Sequence, residues 1–352
     1  MAVMALVSMG VASCVVSSVA IGPVGLSTKT VSTVAGQAGV MGSTDGTGTG
    51  ATLAFPAGMV IIGSTLYFCD SNNSTIRQMS LTTGVVTTIA GVAGVAGYYD
   101  NATTPTIAAY FNHPEGITTD TTNLYVADSG NNVIRKLTPG TPWLASTVAT
   151  GLNNPLGICW VAGAPNMLYI ADSGNCTIDT VGATGGTVAI LAGQQLVAGS
   201  ADGTGGSALF TYPQGIVYDS LTTNLYVVDT GNDTVRLVTT AGIVTTVAGQ
   251  PGVKGDADGA GLTAEFNWPE GIAIDSANAN LYIADTLNAV IRQVTISSGN
   301  VTTLAGQGQL TGSADGAGNV ATFNHPMRLV YYSTTPGLYV ADTYNETIRL
   351  IK

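Results

Sequence analysis

The stretch LYVADSGNNVIRKL at residues 124–137 reads as two β-strands joined by a tight polar turn. Its apolar and β-branched residues favour a pleated surface, and the Asp, Gly and Asn residues between them are typical of a turn. Nearly the same letters return as LYIADTLNAVIRQV at residues 281–294 and as LYVADTYNETIRLI at residues 338–351. A single hairpin needs no copies, so the pattern predicts a repeat protein.

Six segments share this template of Leu-Tyr, two residues, Asp, Ser or Thr, one residue, Asn, two residues and Ile or Val. The template aspartates are Asp70, Asp128, Asp172, Asp229, Asp285 and Asp342, which lie 58, 44, 57, 56 and 57 residues apart. The short step has a visible cause. Most copies are preceded by a Gly-rich insertion, such as GSADGTGGSALF at residues 199–210, and the third copy has none.

Two further elements accompany each template. A Pro-x-Gly segment, as in NHPEGITTD at residues 112–120, comes before it, and a Thr/Val-rich run such as IVTTVAG at residues 243–249 follows all but the last. Four antiparallel strands per unit, here called a to d, predict the blades of a propeller. The sixth unit lacks strand d, and TVSTVAG at residues 30–36 is a strand d without its own unit. We therefore predict an all-β, six-bladed β-propeller closed by this N-terminal strand, which completes the last blade.

The Pro-x-Gly segment and the Leu-Tyr template resemble NHL repeats, and the resemblance covers about residues 29–352. It implies a six-bladed propeller. The wider group includes RNA-binding modules, protein-interaction domains, extracellular proteins and metal-dependent lactonases or lyases, so the fold alone does not name a function. Two departures stand out: Asp179 replaces the arginine of the other copies, and HPMR at residues 325–328 has no glycine after Pro-x.

Residues 1–28 form an apolar leader with no charge before Lys29. We expect it to be an export signal, a lipoprotein signal or a segment for self-assembly against a neighbouring subunit. In the lipoprotein case VASC at residues 11–14 makes Cys14 the lipidation candidate. The basic start that signals and anchors normally carry is missing. The predicted organisation is thus a leader at 1–28 and a propeller domain at 29–352.

The charge balance excludes one class of partner. Ten Lys and Arg residues stand against 21 Asp and Glu, giving a formal net charge of −11. Nucleic-acid binding depends on cations that displace counterions from phosphates, so we predict no nucleic-acid partner. Contact with a membrane is expected only through the leader or a lipid anchor. The four cysteines have no CxxC spacing and predict neither a disulfide framework nor a zinc site.

Residues that recur in every copy are expected to be structural. We expect the template aspartates to accept N–H groups of the turn, and the asparagines to adopt its left-handed conformation. The asparagines are Asn73, Asn131, Asn175, Asn232, Asn288 and Asn345. The strand-c arginines are expected to pair with nearby aspartates, and they are Arg77, Arg135, Arg236, Arg292 and Arg349.

Function is expected where the copies differ. The residue before each Pro-x-Gly proline varies, and blade geometry brings these positions together around one mouth of the central channel. They are Phe55, His113, Asn154, Tyr212, Trp268 and His325. The residue after the proline adds Glu115 and Glu270, two carboxylates that could hold a divalent cation. The alternative is that these bulky residues only pack against adjacent loops.

The uniform blades favour a non-catalytic scaffold over an enzyme. Both histidines, His113 and His325, occupy repeat positions, whereas a zinc site normally has three protein ligands. The sequence contains no Gly-x-Ser-x-Gly elbow and no phosphate loop. We therefore predict an extracellular or cell-surface binding or assembly module for a protein, a glycan or copies of itself, without a resident cofactor. The alternative is a metal-dependent lactonase or lyase at the channel mouth.

Overall fold

The computed structural model describes residues 29–101 and 108–352, which form six antiparallel sheets arranged as propeller blades around a channel. The innermost strand a spans Pro56–Ile62, Pro114–Thr119, Pro155–Val161, Pro213–Asp219, Pro269–Ile274 and Pro326–Tyr332 in blades one to six. Strand b spans Thr65–Asp70, Leu124–Asp128, Met167–Asp172, Asn224–Asp229, Asn280–Asp285 and Gly337–Asp342. Strand c spans Thr75–Ser80, Val133–Thr138, Thr177–Gly182, Thr234–Thr239, Val290–Thr295 and Thr347–Ile351. Strand d spans Val85–Gly91, Leu144–Ala149, Ala189–Gly193, Ile243–Ala248, Asn300–Ala305 and, for blade six, Thr30–Gly36.

Four blades carry a short fifth strand that the sequence did not predict. It pairs with the outer edge of strand d in blades one, four, five and six, and spans Gly46–Thr47, Gly203–Thr204, Gly259–Ala260 and Gly316–Ala317. These strands come from the Gly-rich insertions, which therefore cover the exposed edge of the sheet. Among the described residues no helix is long and apolar enough to span a bilayer.

The predicted ring closure is confirmed. Strand Thr30–Gly36 pairs antiparallel with Thr347–Ile351, with Val31 opposite Ile351. Val31 and Ala35 are buried, so the closing strand contributes apolar side chains to the seam as well as backbone hydrogen bonds. The first and last parts of the described chain thus share one sheet. The leader at 1–28, including Cys14, lies outside the described residues and stays a prediction.

Apolar side chains between neighbouring blades form the core. Six buried clusters each join two adjacent sheets, including one in which Phe68 and Met79 of blade one pack with Tyr339 and Ala341 of blade six. The interface between the last and first blades is therefore built like the other five. Because burial of apolar area is the main favourable contribution to folding, each blade depends on both neighbours.

Buried ion pairs fasten the insertions to their blades. In blade one Arg77 lies 2.6 Å from the strand-b Asp70 and 2.9 Å from Asp45 of the insertion. The same arrangement occurs in blades two, four, five and six, so the predicted pairing of arginines with aspartates is confirmed. Buried charges need oppositely charged partners of this kind to be tolerated.

The strand-c arginine is absent from blade three because its partners are absent there. This blade lacks the insertion, and with it the aspartate and the carbonyl groups that satisfy the arginine elsewhere. Asp179 takes the arginine's place beside Asp172. Burial raises the pKa of Asp179 to about 7, and the neighbouring Asp172 adds to the rise. The loss of the insertion and the change of residue are two parts of one local rearrangement.

Two details of the b–c turn correct the sequence prediction. The left-handed residue is not the asparagine but the one after it, which is Ser74, Asn132, Cys176, Asp233, Ala289 or Glu346. The asparagine instead donates through Nδ2, in blade one from Asn73 to Asp70 at 2.8 Å and to the Gly42 carbonyl at 2.7 Å. Asp70 accepts the N–H of Ala54, which precedes strand a, rather than an N–H of its own turn. The Asp and Asn side chains therefore tie the turn to the start of strand a and to the insertion.

Candidate functional site

The six residues before the strand-a prolines all adopt a left-handed backbone, with φ between 47° and 55°. This conformation costs a non-glycine residue about 1 kcal/mol or more. In three blades the N–H of this residue donates to a side chain of the preceding blade's b–c turn, as from Trp268 to Asp233 Oδ1 at 2.6 Å. Neighbouring blades thus hold three of these positions in an unfavourable conformation, which is a feature of many functional sites.

Six of the eight predicted site residues line one depression at the channel mouth. Its volume is about 480 Å³, and its lining includes His113, Glu115, Asn154, Tyr212, Trp268 and Glu270. The remaining lining residues include Ser129, Leu156, Gln214 and Met327. Six of the predicted residues therefore lie together on one concave surface at the channel mouth.

Phe55 and His325 lie apart from the lining of this depression, in an aromatic stack. Their rings are 4.9 Å and 4.2 Å from the ring of Tyr344, which belongs to the b–c turn of blade six. Burial lowers the pKa of His325. These two residues pack against an adjacent turn, which is the alternative that the sequence left open. Tyr344 was missed, although it occupies the variable position of the template and could have been found there.

Polar and aromatic contacts order the other side of the mouth. Asn154 Nδ2 donates to Tyr212 Oη at 2.8 Å, and the Tyr212 and Trp268 rings are 6.2 Å apart. The ammonium group of Lys254 lies 5.7 Å from the centre of the Trp268 ring. His113 Nδ1 is 3.0 Å from the side-chain oxygen of its neighbour Asn112. The lining is thus a connected surface of rings and amides.

An arginine closes the floor of the depression. In five blades a glycine follows Pro-x, and a Cβ there would overlap a carbonyl of the next strand a, as Gly157 would overlap Gln214. Blade six has Arg328 instead, which is only 6% exposed. Its guanidinium donates to the Glu270 carbonyl at 2.9 Å and to Gln214 Oε1 at 3.2 Å. The departure HPMR was the sequence signal for this residue, but its position across the channel was not foreseen.

Two buried carboxyl groups accompany this arginine. Glu270 is 6% exposed, and one oxygen of Glu270 and one of Glu115 have no hydrogen-bond partner. Burial raises the pKa of both groups, that of Glu270 to about 7. Arg328 opposes the rise in both cases, and Glu115 adds to that of Glu270. The floor therefore holds two carboxyl groups and one guanidinium in a poorly solvated place.

Beyond Arg328 the channel contains a second chamber of about 310 Å³. Its walls include the apolar side chains that follow four of the glycines, Ile117, Ile158, Ile216 and Ile272, and Leu329, which follows Arg328. Trp160 also lines this chamber, at the end of the channel opposite Trp268. The two tryptophans thus mark the two ends of the channel.

The metal-ligating residues do not converge in the part of the chain that the structure describes. Over residues 29–101 and 108–352 no three His, Cys, Asp or Glu side chains are placed to hold one metal ion. His113 lines the depression, whereas His325 belongs to the stack with Tyr344. The divalent cation suggested by Glu115 and Glu270 stays a prediction.

A repeated turn places apolar side chains on the same face as the mouth. After strand d, five blades form a four-residue turn at residues 37–40, 92–95, 194–197, 250–253 and 307–310. The third residue of each turn donates its N–H to the carbonyl of the template asparagine, so these turns lie beside the b–c turns. The exposed apolar residues there, called the mouth-face ring below, are Val40, Met41, Val95, Leu196, Val197 and Leu310.

These features define a six-bladed β-propeller with a lined depression at one channel mouth. No family model matches the chain. It is similar to NHL repeat-containing protein 2 of Gallus gallus, with 26% identity over 330 residues, and of Homo sapiens, with 27% identity over 324 residues. Each match covers 88% of this chain and 40% of the relative, so the chain spans about 40% of the length of these relatives.

Solved structures agree with the fold. An auxiliary nutrient binding protein from Bacteroides thetaiotaomicron superimposes with a TM-score of 0.73 at 19% sequence identity, over 92% of this chain and 76% of its own. A sequence identity this low supports a shared fold and no shared function. The six blades make this chain a six-bladed β-propeller, and its repeat pattern and curated relatives show similarity to NHL-repeat proteins.

Proposed function

We propose that this chain is a non-catalytic binding module that engages a protein partner through the mouth face of the propeller. The observation that carries the proposal is the mouth-face ring, in which Met41, Leu196 and Leu310 are 62%, 69% and 51% exposed. Exposed apolar side chains that cluster on one face are typical of protein-interaction surfaces. The turn recurs in five blades, and at four of these turns it places such side chains on the same face as the depression.

The lining of the depression supports the same proposal. Tyr212 and Trp268 are residue types that often dominate binding energy at protein interfaces. The Asp233 side chain of the preceding blade holds the backbone of Trp268, and Asn154 holds the Tyr212 hydroxyl, which lowers the entropy lost when a partner binds. A glycan or a second copy of this chain are the other occupants to distinguish in the test.

The test is photo-crosslinking in the source cell. A photoreactive amino acid at Leu196 or Leu310 is expected to capture one and the same partner protein. The matched control is Leu221, which is 73% exposed but lies between strands a and b of blade four, on the opposite face. Leu196→Asp and Leu310→Asp should each weaken binding of the purified partner about tenfold, measured by calorimetry. Equal capture from Leu221, or adducts only with copies of this chain, would refute the proposal.

We also propose that the chain acts outside the cell or at its surface, without a resident cofactor. The apolar leader supports this location, because such segments are typical of export signals. Mass spectrometry of the mature N-terminus decides between lipid on Cys14, cleavage before the propeller and an intact start. Metal analysis of the purified protein tests the cofactor, and a stoichiometric ion that Glu270→Gln removes would favour the lactonase or lyase alternative.

A further inference from the structure

We propose that the mouth depression binds a basic side chain, a lysine ammonium or an arginine guanidinium, which the protein partner presents on a loop. This inference rests on the proposed function and names the chemistry that the partner brings to the centre of the mouth face. The carrying observation is the pair of carboxyl groups on the floor, Glu115 and Glu270, with Arg328 as the cation that acts on both.

The charges on the floor leave one carboxylate without compensation. Glu270 is more than nine-tenths buried, lines the depression and has one oxygen without a hydrogen-bond partner. Arg328 directs two of its N–H donors to the Glu270 backbone and to Gln214, and none to either carboxylate. When both groups are ionised, as at the pH of about 8 used in the test below, two carboxylates against one guanidinium give a net charge of −1, which an incoming monovalent cation neutralises. Charge-assisted hydrogen bonds between such a cation and the carboxyl groups compensate for the burial of their charge.

The rim is suited to the same chemistry. The aromatic rings of Tyr212 and Trp268 line the depression above the carboxyl groups, and rings attract cations that approach their faces. The ammonium group of Lys254, which is outside the lining, lies 5.7 Å from the centre of the Trp268 ring, so this indole already takes part in one cation–π contact. The depression is therefore anionic at its base and aromatic at its edge.

The source of the cation follows from what surrounds the depression. The mouth-face ring offers apolar contacts to a protein surface, and a free small amine would leave them unused. The formal net charge of −11 draws basic proteins toward the chain and disfavours anionic membranes and nucleic acids. A loop with one protruding lysine or arginine fits both features.

The test uses the three tryptophans of the chain, Trp143, Trp160 and Trp268. Protein labelled with fluorotryptophan gives three ¹⁹F resonances, which Trp143→Phe and Trp160→Phe assign. N-acetyl-lysine methylamide, titrated near pH 8, should shift the Trp268 resonance with saturation and leave the other two unchanged. Its neutral analogue N-acetyl-norleucine methylamide has nearly the same shape without the charge. It should shift none of them.

Two glutamate variants complete the test. Glu270→Gln should weaken binding of the lysine compound about tenfold or more, because hydrogen bonds to charged groups are stronger than those to neutral ones. Glu265→Gln changes a glutamate of the preceding insertion, outside the lining, and should leave the affinity unchanged. Equal shifts with the norleucine compound, an unchanged affinity in Glu270→Gln, or a moving Trp160 resonance would each overturn the inference. If the lysine compound fails while crosslinking still identifies a partner, this inference falls and the proposed function stands.

Discussion

Replacing Glu270 by glutamine should remove a stability penalty that the wild type carries at high pH. The folded protein holds the pKa of this carboxyl near 7, against an ordinary value of 4.5, chiefly because the group is buried. A carboxyl whose folded pKa is raised takes up a proton on folding. Its contribution is therefore favourable below the unfolded value and is lost as pH rises through the folded value.

The magnitude follows from the size of the shift. Raising the pKa from 4.5 to about 7 corresponds to about 3 kcal/mol at full ionisation. Roughly 2.5 kcal/mol of this is lost between about pH 5 and pH 9. The groups that act on Glu270 are Arg328, which opposes the shift, Glu115, which adds to it, and Trp268, whose side chain opposes it by a hydrogen bond.

The assay is guanidinium unfolding of wild type and Glu270→Gln at several pH values. The difference in unfolding free energy, variant minus wild type, should rise by about 2.5 kcal/mol from about pH 5 to pH 9. Any constant cost of burying the glutamine amide cancels in this comparison. Glu265→Gln, the same change at a glutamate outside the lining, is the control. A pH-independent difference, or a variant that loses stability at high pH, would show that Glu270 is stably ionised beside Arg328 and that our description of the floor is wrong.

Three further predictions concern the scaffold. Asp179→Asn should stabilise the protein above pH 7 by an amount on the order of 3 kcal/mol, because the pKa of Asp179 is raised to about 7 from 3.8 and its favourable contribution is lost as pH rises. Unfolding of wild type and variant at pH 5 and 9 checks this, and a difference in unfolding free energy that is the same at both pH values would contradict it. Val31→Asp should lower the free energy of unfolding by about 3 kcal/mol or more and speed amide exchange in Thr347–Ile351, because it buries an unpaired charge in the ring closure. Val40→Asp, on the surface, should do neither. Gly157→Ala should lower the free energy of unfolding by about 1–3 kcal/mol, because its Cβ overlaps the Gln214 carbonyl. Gly50→Ala, which has open space around the new Cβ, should be nearly neutral. Equal effects would refute the close packing of neighbouring strands a.

The sequence predicted the architecture because the same strand–turn–strand template occurs six times in it. Six templates in register determine the blade number, and an unpaired strand at residues 30–36 indicates how the ring closes. The same alignment of copies located the mouth, since equivalent positions in all blades must lie at one height around the channel. Pattern and position were therefore predictable without coordinates.

What the sequence could not predict depends on contacts across the channel. Arg328 contacts Gln214, which lies 114 residues earlier in the chain. The repeat pattern does not predict which two side chains meet in the centre of the channel. The division of the rim also needed coordinates, because Tyr344 draws His325 and Phe55 into a stack and leaves the other positions to line the depression. The free oxygens of the two glutamates likewise follow from packing rather than from residue type.

The claim that binding belongs to the mouth end of the channel is tested most directly with the fluorotryptophan spectrum of the chain in complex with the partner found by crosslinking. Trp268 lies at the mouth and Trp160 at the opposite end, so the two resonances report on the two ends separately. Our account predicts that adding the partner moves the Trp268 resonance and leaves that of Trp160 in place. A partner that moves the Trp160 resonance alone would contradict it.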